Sequence, residues 1–255
     1  MNADGPQCVI LAGGAATRLG SIAQKTPKPL LPVHGKPFLW YIILQLAREG
    51  VRRFTILAGP DPSPFTEFVS TPEFRKLGLH TRIIQEAKRL GTAGALMAVE
   101  TELDERFYLC NGDSMIIGDI SLFFNQSTFF ALETFVAAVQ VSDAGRYGTL
   151  KIDHQHRVSA FAEKRASAGP AWINGGLYCT SRGTFSETKK TSQLVSLETD
   201  VLPKLARKQK LRAINLPGDL IDIGTPESYR LSQIDAKISE FQRSLDQSGG
   251  CHGAR

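Results

Sequence analysis

Short apolar runs alternate with longer segments whose apolar positions recur at helical spacing. The runs at 7–12 (QCVILA), 53–58 (RFTILA), 80–85 (HTRIIQ) and 106–111 (RFYLCN) predict four strands. The segment 37–49 (PFLWYIILQLARE) predicts a helix with Pro37 in its first turn and Gly50 as its stop. Residues 66–77 and 92–102 predict two more, the first broken or restarted at Pro72. Strand and helix thus alternate over the first half, which predicts an α/β layer with a mainly parallel sheet. After residue 135 the rhythm changes. Runs at 135–141, 149–152, 158–162 and 171–179 follow with few helical segments between them, so an antiparallel portion is expected. Helices are expected at 197–208 and 226–241, then a Gly-rich tail over 246–255 that frays.

No repeat, linker or clean boundary divides the chain, so 1–245 reads as one domain with halves at about 1–118 and 119–245. The composition agrees: 255 residues, 42% hydrophobic and 22% charged, suit a globular chain and exclude disorder, collagen and coiled coil. A chain of this length buries about 70–75% of its unfolded surface and needs no disulfides. Cys8, Cys110 and Cys179 lie in or beside apolar runs and read as small buried hydrophobes. The absence of CxxC and HExxH argues against zinc. A net charge of +5 is mild, and the basic cluster Arg207, Lys208, Lys210 and Arg212 reads as a solvated face, so no nucleic-acid partner is expected. No apolar run reaches the ~18 residues of a membrane span, and the polar start lacks a signal-peptide pattern. A soluble cytoplasmic protein is expected.

The chemistry concentrates in LAGGAATRLG, which follows the first strand. In Leu11-Ala12-Gly13-Gly14 the two glycines let backbone approach a ligand, and free N–H groups there suit an anion. Arg18 adds a forked donor for phosphate. Lys28 follows between Pro27 and Pro29, a stiff setting that places one charge. The loop matches neither the G-x-G-x-x-G dinucleotide fingerprint nor the G-x-x-x-x-G-K-[ST] phosphate loop, which argues against an NAD-binding oxidoreductase. Asp113 (NGDS) and Asp222 (DLIDIGTPE) each end an apolar run. In open α/β sheets ligands bind at the carboxyl ends of strands, and Mg²⁺ binds one or two carboxylates plus substrate phosphates. The competing readings are a tight turn for Gly13-Gly14, an Asx turn at Asp113 and a helix-cap contact at Asp222.

These residues, with YGTLKID…VSAFAEK over 147–164, INGGLY over 173–178 and DIGTPESY over 222–229, resemble the sugar nucleotidyltransferases, or sugar-nucleotide pyrophosphorylases. Within that family PFLWYIILQLAREG, LGTAGAL and NGGLY look most like the D-glycero-D-manno-heptose 1-phosphate guanylyltransferases. The resemblance implies a Rossmann-like mixed, mainly parallel sheet flanked by helices, with a small antiparallel sugar-binding portion. It implies that the phosphate of a sugar 1-phosphate attacks the α-phosphorus of a nucleoside triphosphate and releases pyrophosphate, with Mg²⁺ as cofactor.

Residue by residue, the resemblance sets the triphosphate against Gly13, Gly14 and Arg18. It gives charge stabilisation to Lys28, Mg²⁺ to Asp113 and Asp222, and base contacts to Gln85, Gly91 and Thr92. Lys164 would bind the attacking phosphate. Glu163 and Asn174 would read sugar hydroxyls beside the backbone of Gly148 and Gly175. Blandly read, Glu163-Lys164 is an exposed strand end, Asn174-Gly175-Gly176 a turn or bulge, and Gln85 a strand cap. The implied partners are GTP and a heptose 1-phosphate, with a homo-oligomer compatible. The alternatives are mannose, glucose or N-acetylmuramate 1-phosphate with another nucleotide, or a silent regulatory relative. The family has Gly where this chain has Ala16; a left-handed backbone there would cost Ala about 1 kcal/mol or more.

Overall fold

The computed structural model describes residues 5–127, 133–162, 169–185 and 194–247. In chain order the elements are β1 (Gln7–Leu11), a 3₁₀ segment (Thr17–Ala23), a 3₁₀ turn (Lys28–Leu30), β2 (Pro32–Val33), β3 (Lys36–Pro37), α1 (Phe38–Arg48), β4 (Arg53–Ala58), α2 (Ser63–Ser70), α3 (Pro72–Arg75) and β5 (His80–Gln85). Next come α4 (Thr92–Ala98), β6 (Arg106–Asn111), β7 (Ser114–Ile117), α5 (Ser121–Ser127), β8 (Thr134–Val141), β9 (Thr149–Ile152), β10 (Val158–Ala162) and β11 (Ala171–Ser181). A π turn (Leu197–Val201), α6 (Leu202–Arg207), β12 (Leu211–Leu216), β13 (Asp219–Asp222), α7 (Pro226–Ile234) and α8 (Ala236–Gln247) complete the mixed α/β fold. No described helix is long and apolar enough to cross a membrane.

The chain divides into two compact units. The first holds residues 1–87, 111–117 and 221–255. Its parallel strands β1, β4 and β5 pair in register, Leu11 with Leu57 and Ala58 with Gln85. Helix α1 is buried from Phe38 to Ala47, each large apolar side chain contributing about 1.5–3 kcal/mol. Its one polar interior residue, Gln45, donates to the Ile116 carbonyl at 2.6 Å, so burial leaves its amide nitrogen satisfied. Gly50, at φ 88°, ends it as expected. Pro72 does restart the following helix, and the Thr71 hydroxyl accepts the Phe74 N–H as its cap. The expected helix at 226–241 is instead α7 and α8. Asp235 is extended between them and its carboxylate accepts the Lys237 N–H at 2.8 Å, an Asx turn that competes with helix.

The second unit holds residues 88–110 and 118–220. Here β11 pairs antiparallel with β6, β8 and β9, and β9 with β10, which is the expected antiparallel portion. Strand β12 joins β8 in parallel, a pairing the sequence did not announce. These units differ from the halves drawn at 118. Residues 88–110 belong with the later segments because β6 pairs with β11 and Val195 donates to the Leu90 carbonyl. The C-terminal helices return to the first unit, where Arg48 donates to the Ser244 carbonyl at 2.8 Å. Cys8, Cys110 and Cys179 are buried free thiols, and burial pushes the Cys179 thiol above its ordinary pKa.

Candidate active site

Parallel pairing brings three strand ends together in the first unit. Ala12 donates to the Leu57 carbonyl and Glu86 to the Ala58 carbonyl, so Gly13, Gly59 and Glu86 leave the sheet side by side. A Cβ on Gly13 would lie 2.8 Å from Glu86 Oε2 and 3.2 Å from the Gly59 nitrogen, so the backbones of Gly13 and Gly59 approach closely. Gly14 differs: nothing lies within 4 Å of its Cβ position, and it is exposed. Ala16 is left-handed, φ 50° and ψ 24°, the conformation in which an alanine there is costly. Its carbonyl accepts the Leu19 N–H and starts the 3₁₀ segment on which Arg18 is exposed.

Lys28 is 9% exposed and opens its own 3₁₀ turn behind Pro27. A buried ammonium needs a partner, and Lys28 Nζ donates to Asp113 Oδ2 in an ion pair. Asp113 follows Gly112, where a Cβ would stand 2.9 Å from the Leu11 carbonyl and 3.1 Å from Pro29 Cγ. The NGD turn therefore lies against the end of β1, with Gly112 donating to Leu11.

Asp222 arrives from β13. The Ile223 N–H donates to the Asp113 carbonyl at 3.0 Å, which sets the two aspartates on adjacent backbone. Asp222 Oδ1 accepts the Gly224 N–H at 2.8 Å and the Ser228 hydroxyl at 3.0 Å. Ser228 also closes a capping box with Thr225 at the start of α7. The helix-cap reading of Asp222 is thus correct as far as it goes, but the same carboxylate flanks Lys28. The Cβ position of Gly224 lies 2.8 Å from Asp222 Oδ1 and 3.5 Å from Lys28 Nζ. Two carboxylates and one ammonium therefore meet around a glycine. Among the described residues no group of three or more His, Cys, Asp or Glu forms a metal cluster, so a cation here would draw its remaining ligands from substrate and water.

The second unit holds another part of the expected site. Val195 accepts the Ala93 and Gly94 N–H groups, and a Cβ on Gly91 (φ 81°) would lie 2.5 Å from the Val195 carbonyl oxygen. The Thr92 hydroxyl donates to Glu198 Oε2 at 2.9 Å and accepts the Leu197 N–H at 2.7 Å. Asn174 donates to the Tyr178 hydroxyl at 2.6 Å, accepts the Gly176 N–H, and sends its own N–H to Gly148. The register of β11 against β8 shifts between Asn174 and Tyr178, so the bulge at Gly175-Gly176 is real and gathers Gly148, Asn174 and Gly175. Gln85 is exposed in the first unit and donates to the Pro60 carbonyl at 2.6 Å. Glu163 and Lys164 lie outside the described residues. Sequence reasoning missed Glu86 and Glu198, whose spatial partners Gly13 and Thr92 lie far off in sequence, and it quoted Gly224 and Ser228 only inside DIGTPESY, without a role.

Comparison with known proteins identifies the family. The nucleotidyl transferase family model matches residues 7–237. A D-glycero-alpha-D-manno-heptose 1-phosphate guanylyltransferase of Campylobacter jejuni is 33% identical over 224 residues, covering 88% of this chain and 96% of the relative. A mannose-1-phosphate guanylyltransferase catalytic subunit beta of Drosophila melanogaster is 31% identical, covering 89% of this chain and 61% of the relative. The crystal structure of HddC from Yersinia pseudotuberculosis complexed with GMP-PN superposes with a TM-score of 0.76 at 31% identity, covering 89% of this chain and 98% of that one. With Lys28, Asp113 and Asp222 gathered beside the glycine loop, and a family model spanning almost the whole fold, the chain belongs to the nucleotidyl transferase family and is an enzyme of that class.

Proposed function

We propose that the protein transfers GMP from GTP to D-glycero-α-D-manno-heptose 1-phosphate, giving GDP-heptose and pyrophosphate for surface-polysaccharide or glycan precursors. A phosphate oxygen of the sugar phosphate bonds to the α-phosphorus. The bond from that phosphorus to the oxygen bridging to the β-phosphate breaks, and pyrophosphate leaves with the electron pair. Such a transfer needs positioning and charge neutralisation rather than a covalent nucleophile. The observation that carries the reading is the Lys28–Asp113 pair with Asp222 across Gly224.

Gly14 and the Arg18 guanidinium receive the triphosphate, and Lys28 meets the charge that grows on the departing pyrophosphate. Asp113 and Asp222 fit Mg²⁺: both are hard oxygen donors, held on adjacent backbone, and they leave positions for phosphate and water. The bound ion would supply charge neutralisation at the α-phosphate. Gln85, Gly91 and Thr92 are assigned to the base, and Gly148, Glu163, Lys164, Asn174 and Gly175 to the sugar phosphate, by family likeness. The Thr92 hydroxyl spends its one proton on Glu198 and accepts from Leu197, so any further contact it makes with the base is as an acceptor.

The test is pyrophosphate release with Mg²⁺ across GTP, ATP, CTP, UTP and dTTP, each paired with heptose, mannose, glucose and N-acetylmuramate 1-phosphates. Dominance of GTP with the heptose phosphate is expected. Dominance of GTP with mannose 1-phosphate is the second reading, favoured by the likeness to the fly mannose-1-phosphate enzyme. Nucleotide binding without turnover would overturn both in favour of a regulatory role.

A further inference from the structure

We propose that Ser228 is a positioning residue for the metal site: its hydroxyl, delivered by helix α7, fixes the carboxylate of Asp222. The inference rests on Asp113 and Asp222 holding Mg²⁺. Ser228 is 4% exposed, so its hydroxyl must find a partner within the protein. It has one proton to give. Asp222 Oδ1 lies 3.0 Å away, the Thr225 hydroxyl 3.1 Å and the Thr225 carbonyl 3.2 Å. The nearest acceptor is also the ionised one, and a bond to a charged group is roughly twice as strong as a neutral one, so the proton goes to Asp222. The Gly224 N–H reaches the same Oδ1 at 2.8 Å. Two donors on one oxygen stop the carboxyl group turning, and its second oxygen is thereby held in place too.

Helix α7 is a firm source for that hydroxyl. Tyr229 and Gln233 both donate to the Pro32 carbonyl, at 2.8 and 2.6 Å. Pro32 lies just beyond the 3₁₀ turn that opens at Lys28, so α7 is tied to the segment that carries the lysine. The Ile223 N–H ties the turn before α7 to the Asp113 carbonyl at 3.0 Å. Asp222 is therefore aimed relative to both Lys28 and Asp113, and Ser228 supplies a side-chain bond that sets the aim. Supporting groups of this kind orient a metal ligand, and losing one costs affinity for the ion.

The capping box gives Ser228 a second job, done with other parts of the residue. Its N–H donates to the Thr225 hydroxyl at 3.1 Å, and its Oγ accepts the Thr225 N–H at 3.0 Å. Capping thus uses a backbone N–H and an oxygen lone pair, whereas positioning uses the hydroxyl proton. Mutation can separate the two. Thr225→Ala removes an acceptor from the cap and leaves the Ser228 hydroxyl beside Asp222.

Mn²⁺ is the probe. Its binding to the full chain, with the nucleotide the native enzyme prefers and no sugar phosphate, would be followed by water-proton relaxation, which separates the protein-bound ion from the ion on free nucleotide. Ser228→Ala should weaken Mn²⁺ by about 10- to 100-fold and raise the Mg²⁺ needed for half-maximal pyrophosphate release alike. Its kcat at saturating Mg²⁺ should stay within about threefold of native, because the ligand itself remains. Ser228→Thr keeps the hydroxyl and should bind Mn²⁺ within about threefold of native. Thr225→Ala should melt roughly 2–4 °C lower with native Mn²⁺ affinity. Native Mn²⁺ affinity in Ser228→Ala, or an equal loss in Ser228→Ala and Thr225→Ala, would make Ser228 a helix cap only and overturn the proposal. Asp222→Asn separates the two levels of the argument. If it too binds Mn²⁺ as the native chain does, Asp222 is no ligand, and the Mg²⁺ reading falls together with this inference.

Discussion

Gly14 and Gly91 are both motif glycines, and the structure uses them in opposite ways. Gly14 has open space where a side chain would stand. Gly91 is closed over by Val195, whose carbonyl oxygen would be 2.5 Å from a Cβ. The same contrast runs through their surroundings. In the first unit Lys28, Asp113 and Asp222 gather charge around Gly224, while Arg18 stands exposed. In the second, Val195 takes up the first N–H groups of α4, while Leu197 and Glu198 engage the Thr92 hydroxyl. The first region leaves open space beside gathered charge; the second packs its glycine and hydroxyl against its own chain. A motif residue therefore shows its purpose only when its neighbours are known.

The largest functional effect should come from Lys28. Lys28→Ala removes a preorganised cation and leaves Asp113 without the ion pair seen here, so kcat should fall by about 10²–10³, or about 2.7–4 kcal/mol. Steady-state pyrophosphate release measures it, and near-native kcat/KM would remove Lys28 from the chemistry. Next comes the pair of glycines. Gly91→Ala forces a Cβ into the Val195 carbonyl at a left-handed φ and should destabilise by about 2–4 kcal/mol. For a chain of this size that lowers the melting temperature by roughly 5–15 °C. Gly14→Ala meets no atom and has no left-handed φ, so its melting temperature should stay or rise slightly while the nucleotide KM increases. Equal melting losses in the two variants would erase the distinction drawn between the regions. Thr92→Val should cost about 1–3 kcal/mol, since it strips the Leu197 N–H and the Glu198 carboxylate of a partner. Chemical denaturation reads that loss.

How much of this was legible beforehand follows from range. β1, β4, β5 and β6 could be read because each is a short apolar run bounded by turn residues. The break at Pro72 was legible because proline acts locally. Strands β7, β12 and β13 were not marked, since their reason for being strands is a partner far away: β12 exists through β8, and β13 through β7. The site divides likewise. Lys28, Asp113 and Asp222 carry motif spacing and family likeness. The bond from Ile223 to the Asp113 carbonyl, which sets the two acids on neighbouring backbone, joins residues 110 positions apart by their numbers and leaves no local trace. Glu86 and Glu198 look like ordinary surface acids until pairing shows what they face.

The smallest expected effect is at Ala16, and there the sequence alone posed the question correctly. The family's glycine predicts a left-handed residue, and Ala16 is one, at φ 50°. An L-residue with a Cβ pays about 1 kcal/mol in that region because the Cβ crowds the following carbonyl. Ala16→Gly relieves this strain, and the freer unfolded chain that glycine brings offsets about 0.4–1 kcal/mol of it. The net change should lie between zero and about 0.6 kcal/mol of stabilisation, a melting shift of at most roughly 1–2.5 °C. Activity separates strain from misplacement. Lys28 and Asp113 stay paired, with Asp222 across Gly224, while Ala16 is in place, so the geometry proposed for catalysis is already present and kcat should change less than about threefold on reversion. A large gain in kcat, with little change in melting, would mean that Ala16 holds Arg18 away from the triphosphate and that this enzyme is slowed at its own loop.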